Sequence, residues 1–427
     1  MAKFYISNEI MTEVVKVCRT VSGKESKIVL TMGLGEVNDN VICETTLSTE
    51  AEQIEYRFLA KKPEDFEGAG SVEPIAINAS KFLAIVDSVL TFKEDIYLSP
   101  EGTMLVIGVS NKAKSSIEME AQLPQKIQTT TSIYRMMLEG KNLLSVLSKG
   151  CSFADDNKGV LHNAIIQLMP DKNVIRGYST DSSVIARAEA KAEFLKTGKD
   201  DKAKAAVEQM NKALDEVCSK NGLDKNAYPL IIPKEAIMHL QSLVGSAVKV
   251  SINIDENHLA IMIGQALKYT ITQANETKVP IALIESMVQN DPDAVYGLDA
   301  AKLSDSLGFI NKNNAICENR DITTAIEVDN EDILISSGVA SQFESRIKAA
   351  SISGVGEISV DGERFKTAVD ALNRGNLCVL AYPQYVVLKN GTATAIDDNN
   401  FIIVMQVRTQ KVEESSEEEN TTETSEG

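Results

Sequence analysis

Phe4-Tyr-Ile-Ser-Asn-Glu-Ile-Met11 reads as a short apolar strand ending at Ile6, a polar residue suited to a helix start, and then the first core residue of a helix. The same sentence is written six times along the chain. The strands end at Ile6, Ile77, Leu138, Ile232, Leu298 and Val360, and five residues beyond each stands a large apolar residue: Met11, Phe82, Leu143, Ile237, Leu303 and Phe365. Directly after the strand ends come Ser7, Asn78, Glu139, Pro233, Asp299 and Asp361, types that serve a helix N-terminus as caps, as a first-turn proline, or as negative charge facing the dipole. Apolar residues then continue at helical spacing, as in Val14, Val15 and Cys18 or Ile85, Val86 and Val89, which predicts helices of about fourteen residues.

Successive strand ends lie 71, 61, 94, 66 and 62 residues apart, so the third interval carries an insertion of about 30 residues. It falls at about 190–226. There Asp200-Asp201 opens an Ala-, Lys- and Glu-rich stretch with Val207, Met210, Leu214 and Val217 on one helical face, and Gly222 closes it. Between the helices run alternating strands, clearest in Val248-Lys-Val-Ser-Ile-Asn-Ile254, Ile261-Met-Ile263, Lys268-Tyr-Thr-Ile-Thr272 and Ile333-Leu-Ile-Ser-Ser337. The fold class is therefore α+β. Taken in pairs, the repeats predict three similar domains, 1–128, 129–280 and 281–410, each with two helices packed on antiparallel sheets, and with 125–131 as a polar linker. Residues 411–427, with seven glutamates and no aromatic residue, read as a disordered acidic tail.

The chain has 427 residues, and 43 Lys plus Arg against 61 Asp plus Glu give a net charge of −18. That length excludes a small stapled or metal-nucleated fold, and that charge excludes a generic histone-like DNA binder. No two of Cys18, Cys43, Cys151, Cys218, Cys317 and Cys378 are closer than 25 residues, so they read as buried apolar residues in a reducing compartment. Ser7-Asn-Glu9 interrupts any signal-peptide core and no run of 18 apolar residues exists, so we expect a cytoplasmic protein without a membrane span.

Catalytic signatures are absent: no phosphate-binding Gly-rich loop with Lys, no H-E-x-x-H, no G-x-S-x-G. His162, His239 and His258 are scattered and read as structural. Asp155-Asp156 and Asp397-Asp398 read as turn formers. We therefore expect no catalytic residue, no metal and no cofactor.

The positive charge has a distinctive place. The six helical segments hold 12 basic against 10 acidic residues, leaving −20 for the rest of a chain whose net is −18. Lys16, Lys141, Lys149, Lys312, Lys366 and Arg374 point away from the apolar faces at ~100° per residue, and Arg19, Lys81, Lys302 and Arg364 lie on the flanks. Lys93 and Lys234 do not fit this pattern. Either these bases are the solvated faces of ordinary amphipathic helices, or they form one polyanion-facing surface whose contacts go to duplex backbone, blind to sequence and sensitive to salt.

Three further stretches give the chain a resemblance to the bacterial-type DNA polymerase III beta sliding clamps. Leu161-His-Asn-Ala begins a strand in the second domain, Tyr178-Ser-Thr-Asp-Ser-Ser-Val-Ile-Ala186 stands where the family has a TDGHRLA-like turn, and Val404-Met-Gln-Val-Arg408 resembles its terminal MPMR. The resemblance spans nearly the whole chain. It implies the DNA clamp fold and a head-to-tail homodimer, a ring of six domains around duplex DNA. It also implies an apolar pocket for short peptides of a replicative DNA polymerase and of the clamp loader ATPase. Carried over by position, that pocket is Leu161, Thr180, Ile185, Pro280, Tyr385, Ile403, Met405 and Val407, with Arg408 at its rim. Ring closure would involve Ile117 and Met119 on an edge strand and Phe309 and Ile310 at a helix end.

Two departures bear on this. Ser182-Ser183-Val184 replaces the usual Gly-His-Arg, and Gln406 replaces Pro. The family chain stops near Arg408, whereas here the tail glutamates follow, placed to screen the pocket or DNA. Two rivals remain: a clamp-fold scaffold that binds peptides without encircling DNA, and a hydrolase using Asp155, Asp181 or His162.

Overall fold

All six strand–helix repeats form. The strands Phe4–Ile6, Ile75–Asn78, Tyr134–Glu139, Tyr228–Pro233, Ala294–Asp299 and Ile358–Asp361 lead into helices at the expected places. In chain order the helices are α1 (Asn8–Val21), α2 (Ala79–Leu90), α3 (Gly140–Ser145), α4 (Asp201–Asn221), α5 (Lys234–Leu243), α6 (Ile281–Met287), α7 (Ala300–Asn314) and α8 (Gly362–Leu372). The structure is a computed structural model. It describes residues 2–407 apart from 22, 24, 25, 65–67, 69–71, 157, 158, 160, 199, 316–322, 338–342, 373, 374 and 393. Met11, Phe82, Leu143, Ile237, Leu303 and Phe365 are each at most 1% exposed, so the residue five beyond each strand end is a core anchor.

The helix starts follow the cap chemistry of the sequence. Asn78 Oδ1 accepts from Lys81 N and Asp299 Oδ1 from Lys302 N, both at 3.0 Å, and Asp361 Oδ1 accepts from Glu363 N and Arg364 N. Pro233 is the residue before α5 rather than its first helical residue, and it makes no side-chain cap. Replacing Asn78 with Ala orphans one first-turn N–H and is expected to cost about 1 kcal/mol in urea denaturation. A cost near zero would show that the cap is not holding α2.

The insertion is the helix the sequence predicts. Asp200 caps α4 by accepting from Ala203 N at 2.8 Å, Gly222 ends it at φ 65°, and Val207, Met210, Leu214, Val217 and Cys218 form its buried face. α3 runs on as a π-turn, Val146–Gly150, pressed against the strand Val174–Thr180. Two glycines permit that approach. A Cβ on Gly150 would sit 2.6 Å from Gly177 O, and one on Gly177 would sit 2.7 Å from Cys151 Sγ.

The architecture is α+β with three antiparallel sheets, and the chain divides into two compact units. The first, Met1–Asn290 with Asp397–Ile402, contains four of the repeats and a 13-stranded sheet. That sheet is continuous because Leu267–Thr272 pairs with Glu52–Lys61, in a register running from Leu267 opposite Tyr56 to Ile271 opposite Glu52. The polar stretch 125–131 straps across the same region: Ile127 N donates to Gln53 Oε1 at 2.7 Å, and Thr130 N donates to Asp255 Oδ2 at 2.8 Å. The second unit, Asp291–Ile396 with the chain from Ile403, contains the last two repeats. In it the four-stranded sheet is ordered Glu344–Lys348, Asp332–Ser337, Thr323–Asp329, Ile358–Asp361. No helix among the described residues is long and apolar enough to cross a membrane.

Candidate functional site

In the first unit, Leu161, Thr180, Ile185 and Pro280 come from one locality. Thr180 and Ile185 are cross-strand partners, and two residues further on Tyr178 faces Arg187, so all four side chains lie on one face of the hairpin Val174–Thr180, Val184–Lys191. Its turn carries the departure at 182–184. Asp181 Oδ1 accepts from Ser183 N and Val184 N, Thr180 Oγ1 accepts from Ser182 N, and Ser182 takes a left-handed φ of 77° that a glycine adopts without strain. The approach to α6 is laced to the neighbouring strand Asn163–Met169. Asn163 Nδ2 donates to Glu276 O at 2.9 Å and Thr277 Oγ1 donates to Asn163 O at 3.1 Å. Pro280, exposed, then sets the start of α6, while Leu161 is half-buried and Thr180 and Ile185 are buried.

A charged network that sequence reasoning missed ties α6 to this face. Tyr178 Oη donates to Glu285 Oε1 at 2.7 Å, and Arg187 Nε lies 3.1 Å from the same oxygen without the alignment of a hydrogen bond. Arg187 also donates to Asp398 O at 3.0 Å, its guanidinium stacks 5.2 Å from the Phe401 ring, and Glu189 is shared between Arg187 and Arg176. Burial, with the Glu285 carboxylate beside it, pushes the Tyr178 hydroxyl up to about 12, so it remains a donor at any physiological pH. Leu283, two residues before Glu285 and so roughly on the opposite side of α6, is 56% exposed. The signal available in sequence was Pro280 followed by Ile281, Ile284 and Glu285 at helical spacing.

In the second unit, Tyr385 opens the strand Tyr385–Thr392 and stacks on Tyr382 with ring centroids 4.6 Å apart. Ile403 is fully buried, and Met405 and Val407 are half-buried. Gln406 makes bonds that a proline could not. Its N–H donates to Gln384 O and its amide to Tyr382 O, while Oε1 accepts from Ser359 N. Arg408 lies outside the described residues, as do Arg374, Cys317 and the acidic tail.

The helices of the first unit form a row: α2 contacts α1, α1 contacts α5, and α5 contacts the π-turn after α3. In the second unit α7 packs on α8. Lys16, Arg19, Lys81, Lys141, Lys302, Lys312 and Arg364 are exposed, and Lys149 and Lys366 are half-buried. Some are already paired: Lys16 with Glu13, Arg19 with Asp87 across α1 and α2, Lys141 with Glu139, Arg364 with Asp361, and Lys366 with Asp370. Lys81, Lys149, Lys302 and Lys312 have no ion-pair partner among the described residues. Lys234, which the sequence pattern set aside, bonds Ala154 O and Asp156 instead.

Of the residues expected at ring closure, Ile117 and Ile310 are buried in their own units, Met119 is half-buried and Phe309 is 49% exposed. The strand Ala113–Glu118, carrying Ile117, ends the path of its sheet, and Glu344–Lys348 ends the four-stranded sheet.

The histidines are held structurally. His162 sits between Asp155 O at 2.8 Å and Glu235 Oε2 at 2.7 Å, His239 Nδ1 lies 3.1 Å from Glu52, and His258 Nδ1 lies 3.1 Å from Asp255. Asp181 is engaged by its turn. Among the described residues no group of three or more His, Cys, Asp or Glu could hold a metal ion.

No family model matches the sequence, and no curated protein does. Solved structures do match, over 95–96% of this chain and 100% of theirs. The DNA polymerase III beta chain of Streptococcus pneumoniae is 14% identical with a TM-score of 0.71. The Helicobacter pylori beta clamp bound to a DNA ligase peptide is 12% identical at 0.72, and the polymerase III beta subunit of Thermotoga maritima 10% identical at 0.73. The fold is that of the beta clamps.

Proposed function

We propose that this chain is a DNA sliding clamp, a replication processivity factor of three domains (1–128, 129–280 and 281–410). It closes head-to-tail with a second copy around duplex DNA and performs no chemistry. The observation that carries the reading is a clamp fold over the whole length combined with repeat helices that expose bases on a chain of net charge −18. An acidic body with a basic lining holds DNA inside and keeps it off the outer faces. The strands Ala113–Glu118 and Glu344–Lys348, which end their sheets among the described residues, suit antiparallel pairing between copies, with Phe309 as an apolar contact. The types at Leu161, Ile185 and Pro280 suit an apolar anchor of a partner peptide from a replicative polymerase or a clamp loader ATPase. The proposed compartment is the cytoplasm.

One observation favours a second reading, a clamp-fold scaffold that does not encircle DNA: five of the nine described helix bases are neutralised by acids nearby. The two readings separate on nicked circular DNA. A clamp should be retained on circles and lost on linearisation, from a particle of twice the chain mass by light scattering. Changing Lys81, Lys149, Lys302 and Lys312 to Glu should reduce retention and flatten its dependence on log salt by about 0.9 for each phosphate no longer neutralised. A monomer released equally from both DNAs, indifferent to those substitutions, would leave the scaffold.

A further inference from the structure

In the first unit both nitrogens of the His162 ring face acceptors. Nδ1 lies 2.8 Å from the backbone carbonyl of Asp155, and Nε2 lies 2.7 Å from Glu235 Oε2 on the first turn of α5. A carbonyl and a carboxylate only accept, and a neutral imidazole has a single N–H, so both contacts are hydrogen bonds only when the ring carries two protons. The His162 side chain is 14% exposed and that of Glu235 54%, so the ring is enclosed while its carboxylate partner stays in contact with water. Charged groups approach from two sides, Glu235 and Lys234 from α5 and Asp155 and Asp156 from the chain before the histidine. Lys234 Nζ donates to Asp156 Oδ1 at 2.6 Å and to Ala154 O at 2.5 Å. The Asp156 carboxyl is held below its usual range by Lys234 first and by the His162 ring second. Two neighbouring residues of opposite charge on α5 thus clasp 154–156 on one side and His162 on the other.

The clasp also fixes Leu161. Asp155 N donates to Leu161 O at 3.0 Å while Asp155 O receives the His162 ring, so residues 161 and 162 are tied to both backbone groups of one residue. The chain just before is anchored to the hairpin beside Thr180, where Phe153 N donates to Ser179 Oγ at 3.0 Å. We infer that His162 is a positioning residue whose protonation state sets Leu161, holding it in place when the ring is charged and loosening it when the ring is neutral. The inference rests on the reading of Leu161 as part of a peptide-binding wall, and it makes that wall sensitive to pH. On giving up a proton to water the ring keeps one N–H, which holds either the Asp155 carbonyl or Glu235. The other nitrogen then turns a lone pair toward an acceptor, and that side of the clasp opens. Histidine is the side chain that ordinarily changes charge between about pH 5 and 8, so the contacts are complete on the acid side of the ring's titration and halved on the alkaline side.

The test is NMR of the full chain, labelled with ¹⁵N in the histidine rings and ¹³C in the leucine methyls, titrated from about pH 5 to 8. With three histidines in the chain, His162→Gln and Leu161→Ile suffice to assign the two residues. The His162 ring should pass from its two-proton to its one-proton form, and the Leu161 methyl signals should move with the same midpoint. Over that step the Asp155 amide, whose acceptor is Leu161 O, should exchange its hydrogen at least about fivefold faster than the intrinsic effect of pH accounts for. Glu235→Gln separates charge from packing. Its amide donates to Nε2 while Nδ1–H holds Asp155 O, so a neutral ring makes both contacts and Leu161 should cease to follow pH. A Leu161 that stays still while His162 titrates, or that moves equally in Glu235→Gln, would overturn the inference. The DNA ligase peptide seen on the Helicobacter pylori clamp is the probe for the wall itself. The parent should bind it at least about threefold more tightly at the acid end than at the alkaline end, and Glu235→Gln equally at both. If Leu161 follows His162 but the peptide binds at neither end, the clasp stands and the peptide reading of the wall fails.

Discussion

Asp255→Ala is expected to cost about 2–3 kcal/mol of unfolding free energy, a large loss for a single polar side chain. Asp255 is 3% exposed, yet its carboxylate is saturated. Oδ1 accepts from Asn257 N and His258 N at 2.8 Å and lies 3.1 Å from His258 Nδ1, while Oδ2 accepts from Thr130 N at 2.8 Å. The residue therefore closes the turn between Lys249–Ile254 and His258–Ile263 and also pins the strap 125–131. Alanine would remove the acceptor of three backbone N–H groups, of which that of half-buried His258 is the least open to water while Asn257 and Thr130 are exposed, and an unmet donor costs about 1–3 kcal/mol. Asn can keep some of these acceptor contacts and should recover about half. Urea denaturation of the three proteins measures this, and an Ala variant within 1 kcal/mol of the parent would mean that water replaces the carboxylate.

Arg187→Ala is expected to cost about 3–5 kcal/mol by a different route. The guanidinium is 7% exposed and lies between Glu189 and Glu285. Removing it leaves two carboxylates with only Arg176 and the Tyr178 hydroxyl to hold them, and it opens a void beside Phe401. Lys should not rescue, since it lacks the planar fork that reaches Glu189, Glu285 and Asp398 O together. The pair Arg187→Met with Glu285→Leu should recover more than half the loss, because a well-packed apolar pair avoids burying charge. A double-mutant cycle in urea checks both statements. If the double variant is as unstable as the single, packing rather than charge holds α6 in place.

The repeats were legible because their information is local. A cap at Asn78 or Asp299 and an anchor at Phe82 or Leu303 lie within one turn of helix, and the period of 3.6 residues exposes them to inspection. Asp200, Gly222 and the stripe from Val207 to Val217 made α4 readable for the same reason, without any knowledge of what it packs on. The stretches carrying the family resemblance pointed to Thr180 and Ile185 as part of the proposed wall. The side chains that organise that wall could not be read from them. Tyr178 and Glu285 meet across 107 residues and Arg187 and Asp398 across 211, and no periodicity links positions so distant. The burial of Ile117 and Ile310 was equally hidden, since an alternating strand and an amphipathic helix each show an apolar face whether it meets the same domain or another copy. Gln406 looked like a loss of the family proline, and the structure shows three hydrogen bonds in its place.

The pairing of Leu267–Thr272 with Glu52–Lys61 has a mechanical meaning. Five successive rungs, backed by the Lys268–Glu55 ion pair and by the Tyr269 hydroxyl donating to Glu52, weld the two halves of the first unit edge to edge. A seam of this kind resists bending, because any hinge motion about it would have to shear several backbone bonds at once instead of rotating one loop. The two halves of the first unit are therefore expected to move together across this seam, and motion within the chain is expected at joints held by fewer backbone bonds.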